Sequence, residues 1–537
     1  MPPADGGSLF ARFRSKWTSE QLAWIAIAVL LIAAAIPRLI ALDRAPLGLN
    51  QDEACNGYDA YSLAQTGRDQ HGNRWPIVIQ AFNDYRMPLY DYSLVPIVAM
   101  FGLKASTVRL GAALWSIADL AAIAILGWVM FGARGGAAAI LIAALTPWHF
   151  HTSRFGHEAI TSAATVSWAT TCFMLWHRRR WSGWLILSAA FFGLSLYSYS
   201  ITKLFVPLWI LVLATFHWRD IRRSPVLVLI AAVIGGVLAA PQMLLLVHEG
   251  ARMQARFNQI SAFGGDGWTS DAAWDVLSGV FNHFDLNFLF VHGQPGHFAE
   301  MLHVPGFGQL LASQAVMIVL ALCSAYDRRY RKPLALLLCW VIAAALPPAM
   351  TLPVPHELRN ILAITPWTLL SVLGLVFLLD LAAAPLLARQ IVAGLLIIAT
   401  LWQGTQLITT YFGSYARFAA RSYQYGMEQV VHAIQQSSHD SNEPVVITQK
   451  MNQPYIYVLF YGPYPPARFQ ELQPHNNSVL FAKVNAFDRY VFQDPIFAYH
   501  QYEHGIFVFL GTDKLPAEPT FTIRYPDGSV AYQVLTK

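Results

Sequence analysis

The sequence is poor in charged residues. Only 12% of its 537 residues are Asp, Glu, Lys or Arg, whereas 55% are hydrophobic. Soluble domains carry about 25% charged residues, so this composition excludes an ordinary soluble protein and indicates an integral membrane protein. The net charge of +5 does not require a nucleic-acid partner. Much of the basic excess lies in short loops between apolar runs, where it orients a protein in the membrane.

Cysteine is also scarce. Three of the four cysteines, Cys172, Cys323 and Cys339, lie in apolar runs, and only Cys55 lies in a polar loop. This scatter matches neither a disulfide framework nor the spacing of a zinc site. The sequence also lacks internal repeats and low-complexity tracts. No cofactor is predicted, although a requirement for a divalent cation is left open.

Long apolar runs are what the sequence has in abundance. A spanning helix needs about 20 apolar residues. The first run follows Arg12, Arg14 and Lys16 and lacks a small-residue cleavage site, which favours a retained anchor over a signal peptide. About eleven spans are predicted, at residues 21–42, 107–131, 134–150, 157–176, 182–199, 202–216, 226–247, 306–325, 333–352, 360–380 and 388–411.

Basic residues predict the orientation of these spans. The first three basic residues place the N-terminus in the cytoplasm by the positive-inside rule. The Arg-rich loops at 177–180, 217–223 and 327–332 then face the same side. The apolar residues 88–103 would reverse this pattern if they crossed the membrane, so we predict an interfacial segment there.

The division into domains follows from the same pattern. Residues 1–412 are predicted to form the membrane module, with large outer loops at 43–106 and 248–305. Residues 413–537 change character, because strand-like runs such as PVVIT (444–448) and YIYVLF (455–460) alternate with Pro, Asn and Gly turns. We predict a small α/β domain outside the membrane on the periplasmic side.

Titratable residues concentrate on the predicted outer side. The stretch 46–63, PLGLNQDEACNGYDAYSL, carries Asp52 and Glu53 in a loop that turns into a short helix directly after the first span. A carboxylate at such a position can accept a proton from a hydroxyl group beside a lipid-linked leaving group. The plainer alternative is that both acids cap the short helix. Fifteen of the seventeen histidines lie on this side, all but His177 and His217, which favours an outer active site.

Four motifs of these outer loops together resemble a known superfamily. They are Asp-Glu at 52–53, TGRD at 66–69, RMPLY at 86–90 and SRFGHE at 153–158. In order and spacing they resemble the GT-C integral-membrane glycosyltransferases, in the branch of bacterial protein O-mannosyltransferases and lipid A aminoarabinose transferases. The resemblance covers residues 20–380. It implies a polytopic α-helical fold with interfacial helices in the first outer loop, in the bacterial inner membrane.

The resemblance also implies an activity and site residues. Such enzymes transfer a sugar from a polyprenyl-phosphate carrier to a glycan, lipid or protein acceptor with inversion at the anomeric carbon. Asp52 would be the general base, and Glu53 would orient the acceptor or the first-loop helices. Arg86, His356 and Arg359 would bind the donor phosphate. The residues that would bind or position the substrates are Asp84, Tyr85, Arg154, His157, Glu158, Tyr197, Tyr199 and His297.

Several of these residues also have purely structural interpretations. Arg154 and Glu158 are four residues apart and could pair at the start of a helix. His157 and Glu158 are weak candidate ligands for a divalent cation. Tyr197 and Tyr199 could equally belong to an interfacial aromatic belt.

Two other classes of function compete with the enzyme. A transporter or flippase of lipid-linked sugars would place ionisable residues near the middle of the membrane, and only Asp119 is a good candidate of that kind. The third hypothesis is a polytopic receptor or assembly protein without transferase activity, whose outer domain binds a partner. The crowding of titratable residues at one side of the membrane favours the glycosyltransferase.

Overall fold

The molecule is built mainly of helices, several of which are long and apolar. The computed structural model describes residues 19–537 except 83, 264–268, 297–298, 438–442 and 474–482. Six described helices have the length and composition to cross a membrane: Glu20–Leu39, Ala105–Leu145, Pro225–His248, Arg328–Ala349, Ile361–Asp380 and Leu386–Phe418. Four shorter apolar helices join them: Leu89–Phe101, Ser182–Ser195, Thr202–Phe216 and Ala312–Tyr326.

Helices of the first half of the chain include the acidic stretch and most of the predicted spans. In chain order they are α1 (Ser19–Leu39), α2 (Gln51–Thr66), α3 (Leu89–Phe101), α4 (Ala105–Leu145), α5 (Pro147–Thr152), α6 (Ala159–Arg179), α7 (Ser182–Ser195), α8 (Thr202–Phe216), α9 (Trp218–Arg223) and α10 (Pro225–Ile260).

The second half continues the bundle and then enters the C-terminal domain. Its helices are α11 (Ser270–Asn282), α12 (Ala299–Leu302), α13 (Ala312–Cys323), α14 (Arg328–Ala349), α15 (Ile364–Asp380), α16 (Leu386–Thr410), α17 (Ala416–Phe418), α18 (Met427–Ser437), α19 (Pro454–Tyr461), α20 (Pro466–Leu472) and α21 (Pro495–Gln501).

Each of the eleven predicted spans contains a helix of the bundle. Two of the predicted spans lie largely in helix α4. Gly132, whose backbone is not helical (φ 76°), separates these two spans. The exact number of membrane crossings stays a prediction. Helix α3, within the segment predicted to be interfacial, has 13 residues, which is about 20 Å of helix. That length is too short for a hydrocarbon core of about 30 Å, and α3 packs on α2 and α4.

Close helix contacts in the bundle depend on small residues. Helix α4 packs against α6, α6 against α7, and α13 against α15. A Cβ atom on Gly374 of α15 would lie 1.8 Å from the carbonyl oxygen of Met317 on α13. Only glycine permits this approach of two backbones, as is common where apolar helices associate without a hydrophobic drive.

The C-terminal domain contains a mixed six-stranded sheet. Its strands are β3 (Val445–Ile447), β4 (Ala486–Phe487), β5 (Tyr490–Phe492), β6 (Ile506–Leu510), β7 (Phe521–Arg524) and β8 (Val530–Thr536). The order is β4-β5-β3-β6-β8-β7, with β3 parallel to both β5 and β6. The remaining neighbours pair antiparallel. A separate two-stranded ribbon, β1 (Ile79–Ala81) with β2 (Asp84–Arg86), lies in the first large loop.

One predicted strand of this domain is wrong. The run YIYVLF at 455–460 forms helix α19 and not a strand. Pro454 occupies the first helical turn, where its missing N–H costs nothing. All residues of this run are buried, so the sequence shows no amphipathic period that would separate a buried helix from a strand.

Candidate active site

The loop that leads into the acidic helix is held by two buried arginines. Arg154 donates to five backbone carbonyls, those of Pro37, Arg38, Ile40, Ala41 and Ala45. Arg109 donates to three more, those of Leu42, Pro46 and Gly48. These contacts fix the path of the chain from the end of α1 to the start of α2.

The contacts of Arg154 indicate a structural role. Its side chain is fully buried, and both terminal nitrogens bind carbonyl oxygens of the loop. No ion pair joins it to Glu158 in the described part of the chain. Arg154 therefore shapes the loop, and its predicted role in positioning a substrate stays a prediction.

The carboxylate of Glu53 also has a structural role. Its Oε1 accepts hydrogen bonds from Arg109 Nε at 2.8 Å and from the Gly156 N–H at 2.9 Å. Its Oε2 accepts from Arg109 Nη2 at 2.9 Å and from the Asn50 N–H at 3.1 Å. The last contact completes a capping box at the start of α2. The helix-capping interpretation is thus right for Glu53, and of its two predicted roles the geometry favours orientation of the first-loop helices.

Asp52 differs sharply from its neighbour. Its backbone N–H is capped by Asn50, but its carboxylate makes no hydrogen bond to the residues that the structure describes. The side chain is half-buried and lies in the electrostatic range of His157, Glu158 and Arg86. Burial raises the pKa of Asp52, and His157 and Arg86 oppose that rise. Asp52 therefore has a carboxylate that makes no hydrogen bond to the described residues, close to His157, Glu158 and Arg86.

Arg86 forms the centre of a second cluster. Its Nη2 lies 2.6 Å from Asp59 Oδ2 and 2.7 Å from Asp91 Oδ1, and both aspartate side chains are fully buried. Burial raises the pKa of each aspartate to about 7, although the charge of Arg86 opposes the rise. Arg86 is thus already compensated by acids, which limits its capacity to neutralise a donor phosphate.

His157 and Glu158 also lie near Asp52. His157 Nδ1 accepts a hydrogen bond from the Ala159 N–H at 3.1 Å and lies 3.5 Å from Glu158 Oε2. Burial lowers the pKa of His157 to about 4 and raises that of Glu158. His157 is therefore neutral at physiological pH. Tyr199 packs edge-on against its ring at 5.7 Å.

The turn before α15 completes the cluster. His283 Nε2 accepts a hydrogen bond from the His356 N–H at 3.3 Å. Burial lowers the pKa of His356 well below its usual range, and Arg359 and His157 lower it further, which places His356 near both groups. Arg359 is half-buried and donates through Nη1 to Thr351 Oγ1 and to the Leu352 carbonyl.

The remaining predicted residues lie outside this cluster, or are not among the residues that the structure describes. Tyr197 donates its hydroxyl to the Leu238 carbonyl of α10 and accepts the Leu89 N–H at its backbone oxygen, so it ties two helices together. Asp84 accepts the N–H of the half-buried Tyr85 in β2. His297 falls outside the described residues.

The C-terminal domain supplies residues that the sequence did not single out. Helix α19 packs on α2, and Tyr455 donates to Gln70 Oε1 at 3.2 Å. The hydroxyl of Tyr457 is buried without a hydrogen-bond partner among the described residues, and Asp52 is one of the charges that raise the pKa of Tyr457. The sequence did not point to Tyr457, because the run 455–460 was predicted to be a strand and not a helix.

Comparisons with known proteins decide the fold class. The family model described as dolichyl-phosphate-mannose-protein mannosyltransferase matches residues 86–244. The structure of ArnT from Cupriavidus metallidurans bound to undecaprenyl phosphate matches 95% of this chain and 98% of its own, with 15% identity and a TM-score of 0.61. The fold is ArnT-like.

A more distant solved structure agrees. The archaeal oligosaccharyltransferase AglB from Archaeoglobus fulgidus, in complex with an inhibitory peptide and a dolichol-phosphate, matches 83% of this chain and 64% of its own, with 14% identity and a TM-score of 0.54. No curated protein sequence matches the chain. The family match over residues 86–244 and the ArnT-like fold agree with the predicted resemblance to the GT-C glycosyltransferases. The multi-pass helical architecture with a small C-terminal sheet domain is confirmed.

Proposed function

We propose that this ArnT-like protein is an inverting glycosyltransferase that moves a sugar from a polyprenyl-phosphate donor to an acceptor at the outer face of the bacterial inner membrane. The matched family is named for transfer from a dolichyl-phosphate sugar, and the ArnT structure contains undecaprenyl phosphate. The matched residues 86–244 include Arg86, His157 and Glu158 around the candidate site. The acceptor is a glycan, a lipid or a protein.

The contrast between two adjacent acids carries this proposal. Glu53 accepts four hydrogen bonds and is fully buried, so it cannot take a proton from a substrate without losing its ion pair. Asp52 is half-buried and its carboxylate is uncommitted. A raised pKa also makes Asp52 a stronger base than an ordinary surface aspartate, because the pKa lies closer to the working pH.

The reaction follows from this arrangement. The acceptor hydroxyl attacks the anomeric carbon while Asp52 takes its proton. The bond from that carbon to the donor phosphate oxygen breaks through an oxocarbenium-like state, and polyprenyl phosphate leaves with the bonding electron pair. A general base contributes roughly 10²–10⁴-fold to such a step.

The departing phosphate requires positive charge or hydrogen-bond donors. Arg86 is largely compensated by Asp59 and Asp91, and Arg359 is a second cation, in the turn before α15. The neutral imidazoles of His157 and His356 can still donate an N–H each. Preorganised donors in a partly dry site stabilise developing charge more strongly than water does.

Asp52→Asn tests the proposal, with Asp43→Asn as the matched control. Asp43 lies in the same loop, and its side chain is 63% exposed beside Arg44. A deletion strain complemented with each variant is compared by mass spectrometry of its lipids and glycans, and the purified variants are titrated with undecaprenyl phosphate. We expect Asp52→Asn to lose the glycosylated product but keep binding of undecaprenyl phosphate. Unchanged product with Asp52→Asn would remove Asp52 as the base.

A further inference from the structure

A second cluster of titratable side chains lies far from the candidate active site. It comprises His177 at the C-terminal end of α6, and His217 and Asp220 at the junction of α8 and α9. The N-terminal end of α6 follows Glu158, and its 21 residues span about 31 Å. The cluster therefore lies at the opposite end of the bundle, and the proposed glycosyl transfer does not use it.

We infer that His177, His217 and Asp220 form a binding site for a divalent transition-metal ion such as Zn²⁺. One ligand atom from each residue lies within 4.8 Å of the other two. His177 Nδ1 is 2.6 Å from Asp220 Oδ2, and His217 Nδ1 is 3.9 Å from the same oxygen. Ligand atoms of a tetrahedral zinc site lie about 3.3 Å apart, so small side-chain rotations suffice.

His217 supplies the independent observation. Its side chain is 2% exposed, yet neither ring nitrogen has a hydrogen-bond partner in the described ranges. Its ring packs against His177 at 4.4 Å and against Phe173 at 5.4 Å. Buried polar atoms without partners are rare in folded proteins and require an explanation. A metal ion between His217 and Asp220 provides one.

The surroundings leave room for the ion and a further ligand. A cavity of about 280 Å³ is lined by both histidines and by apolar side chains that include Met174 and Leu336. Two imidazoles and one carboxylate are ligands suited to Zn²⁺, and three protein ligands leave one position open for water. An ion held there would join the end of α6 to the junction of α8 and α9.

Three positively charged side chains surround the site and oppose binding of a metal ion. Their substitution therefore distinguishes binding of a cation from binding of an anion. Arg180 Nη2 donates to Asp220 Oδ1, the carboxylate oxygen that the ion would not use. Arg178 donates to the Trp128 and Val129 carbonyls, and Lys332 lines the cavity wall. Removing a positive charge therefore strengthens binding of a cation and weakens binding of an anion.

The experiment uses full-length, tag-free protein in detergent, stripped with a chelator. Zn²⁺ binding is measured by equilibrium dialysis with elemental analysis and by thermal unfolding, and Co²⁺ is added to detect the visible absorption of a tetrahedral site. We expect one saturable ion per chain and a raised melting temperature. His217→Ala should weaken binding by at least about 100-fold, because it removes a direct ligand.

Control variants make the outcome decisive. His504→Ala, at an exposed histidine of the C-terminal domain, should bind Zn²⁺ like the wild type. Asp220→Asn replaces His217→Ala if the latter does not fold. Arg180→Gln should strengthen binding by roughly two- to five-fold. No saturable binding in the wild type, equal binding in His217→Ala, or weaker binding in Arg180→Gln would overturn the inference. None of these results depends on glycosyl transfer.

Discussion

Arg109 binds both carboxylate oxygens of Glu53, through Nε at 2.8 Å and Nη2 at 2.9 Å. Both side chains are fully buried. The same guanidinium holds the loop that precedes α2. One ion pair therefore positions the helix that carries Asp52.

Breaking this pair should destabilise the protein strongly. Glu53→Gln leaves Arg109 buried without its counter-charge, and such a loss costs about 3–5 kcal/mol of unfolding free energy. Thermal unfolding in detergent measures the effect. Glu518→Gln, at an exposed glutamate, serves as the control and should change nothing. A stable Glu53→Gln variant would contradict the structural role assigned to Glu53.

Arg86→Gln should make stability depend on pH. Without Arg86, the pKa values of Asp59 and Asp91 in the folded state rise further, because burial is no longer opposed. A carboxyl group whose pKa is higher in the folded state than in the unfolded state lowers the free energy of unfolding as pH rises from about 4 to the folded pKa. The variant should therefore melt much lower than wild type at pH 8 and less so at pH 5.

A second substitution checks this explanation. Asp59→Asn combined with Arg86→Gln removes one of the two uncompensated charges and should recover part of the stability at pH 8. If Arg86→Gln lowered the melting temperature equally at both pH values, charge burial would not be the cause.

The rate of transfer should fall on the acidic side as Asp52 becomes protonated. Only the carboxylate accepts a proton, so the rate should drop about tenfold per pH unit below the apparent pKa. Because burial raises that pKa, the fall should begin at a higher pH than for an exposed aspartate. Membrane vesicles with their endogenous donor provide the assay. A profile that is flat down to pH 4 would argue against a carboxylate base.

Tyr457→Phe should separate activity from stability. The hydroxyl of Tyr457 is buried without a partner in the described structure, so its removal should leave the unfolding free energy unchanged or slightly raise it. Its proximity to Asp52 predicts reduced product formation in the complementation assay. Tyr490→Phe, in strand β5, is the matched control. Wild-type activity in Tyr457→Phe would exclude a contact between this hydroxyl group and a substrate.

Gly57→Ala should loosen the C-terminal domain from the membrane module. A Cβ atom at Gly57 would lie 2.6 Å from both Phe460 on α19 and Val108 on α4. Overpacking of this kind costs about 1–3 kcal/mol. Gly236→Ala is the control, because nothing lies within 4 Å of its added Cβ atom. Limited proteolysis and thermal unfolding should detect the difference, and equal behaviour of the two variants would contradict close docking.

The sequence predicts the membrane bundle well because one physical signal dominates it. Apolar runs of spanning length must become helices in a bilayer, since their backbone groups have no water to bind. The strand prediction at 455–460 failed because α19 is buried on every side, which removes the periodic pattern. A helix and a strand of eight apolar residues look alike in composition.

The site was predictable in part. Asp52, Arg86, His157, Glu158 and His356 lie in one region, as the collection of outer motifs suggested. Their individual roles required the structure. The partner of Glu53 lies 56 residues away in the chain, inside an apolar run, and the five contacts of Arg154 are to backbone carbonyls that no side-chain pattern reveals.

The two arginines that grip the loop at 37–48 do so only through main-chain oxygens, which every amino acid possesses. These contacts do not depend on the side chains of the segment, although Arg38 and Gly48 are constrained separately, by the bonds of Arg38 to Ala144 and His149 and by the backbone packed against Gly48. Much of the information for the shape of this segment therefore lies outside it, in Arg109 of α4 and in Arg154 of the turn before α6.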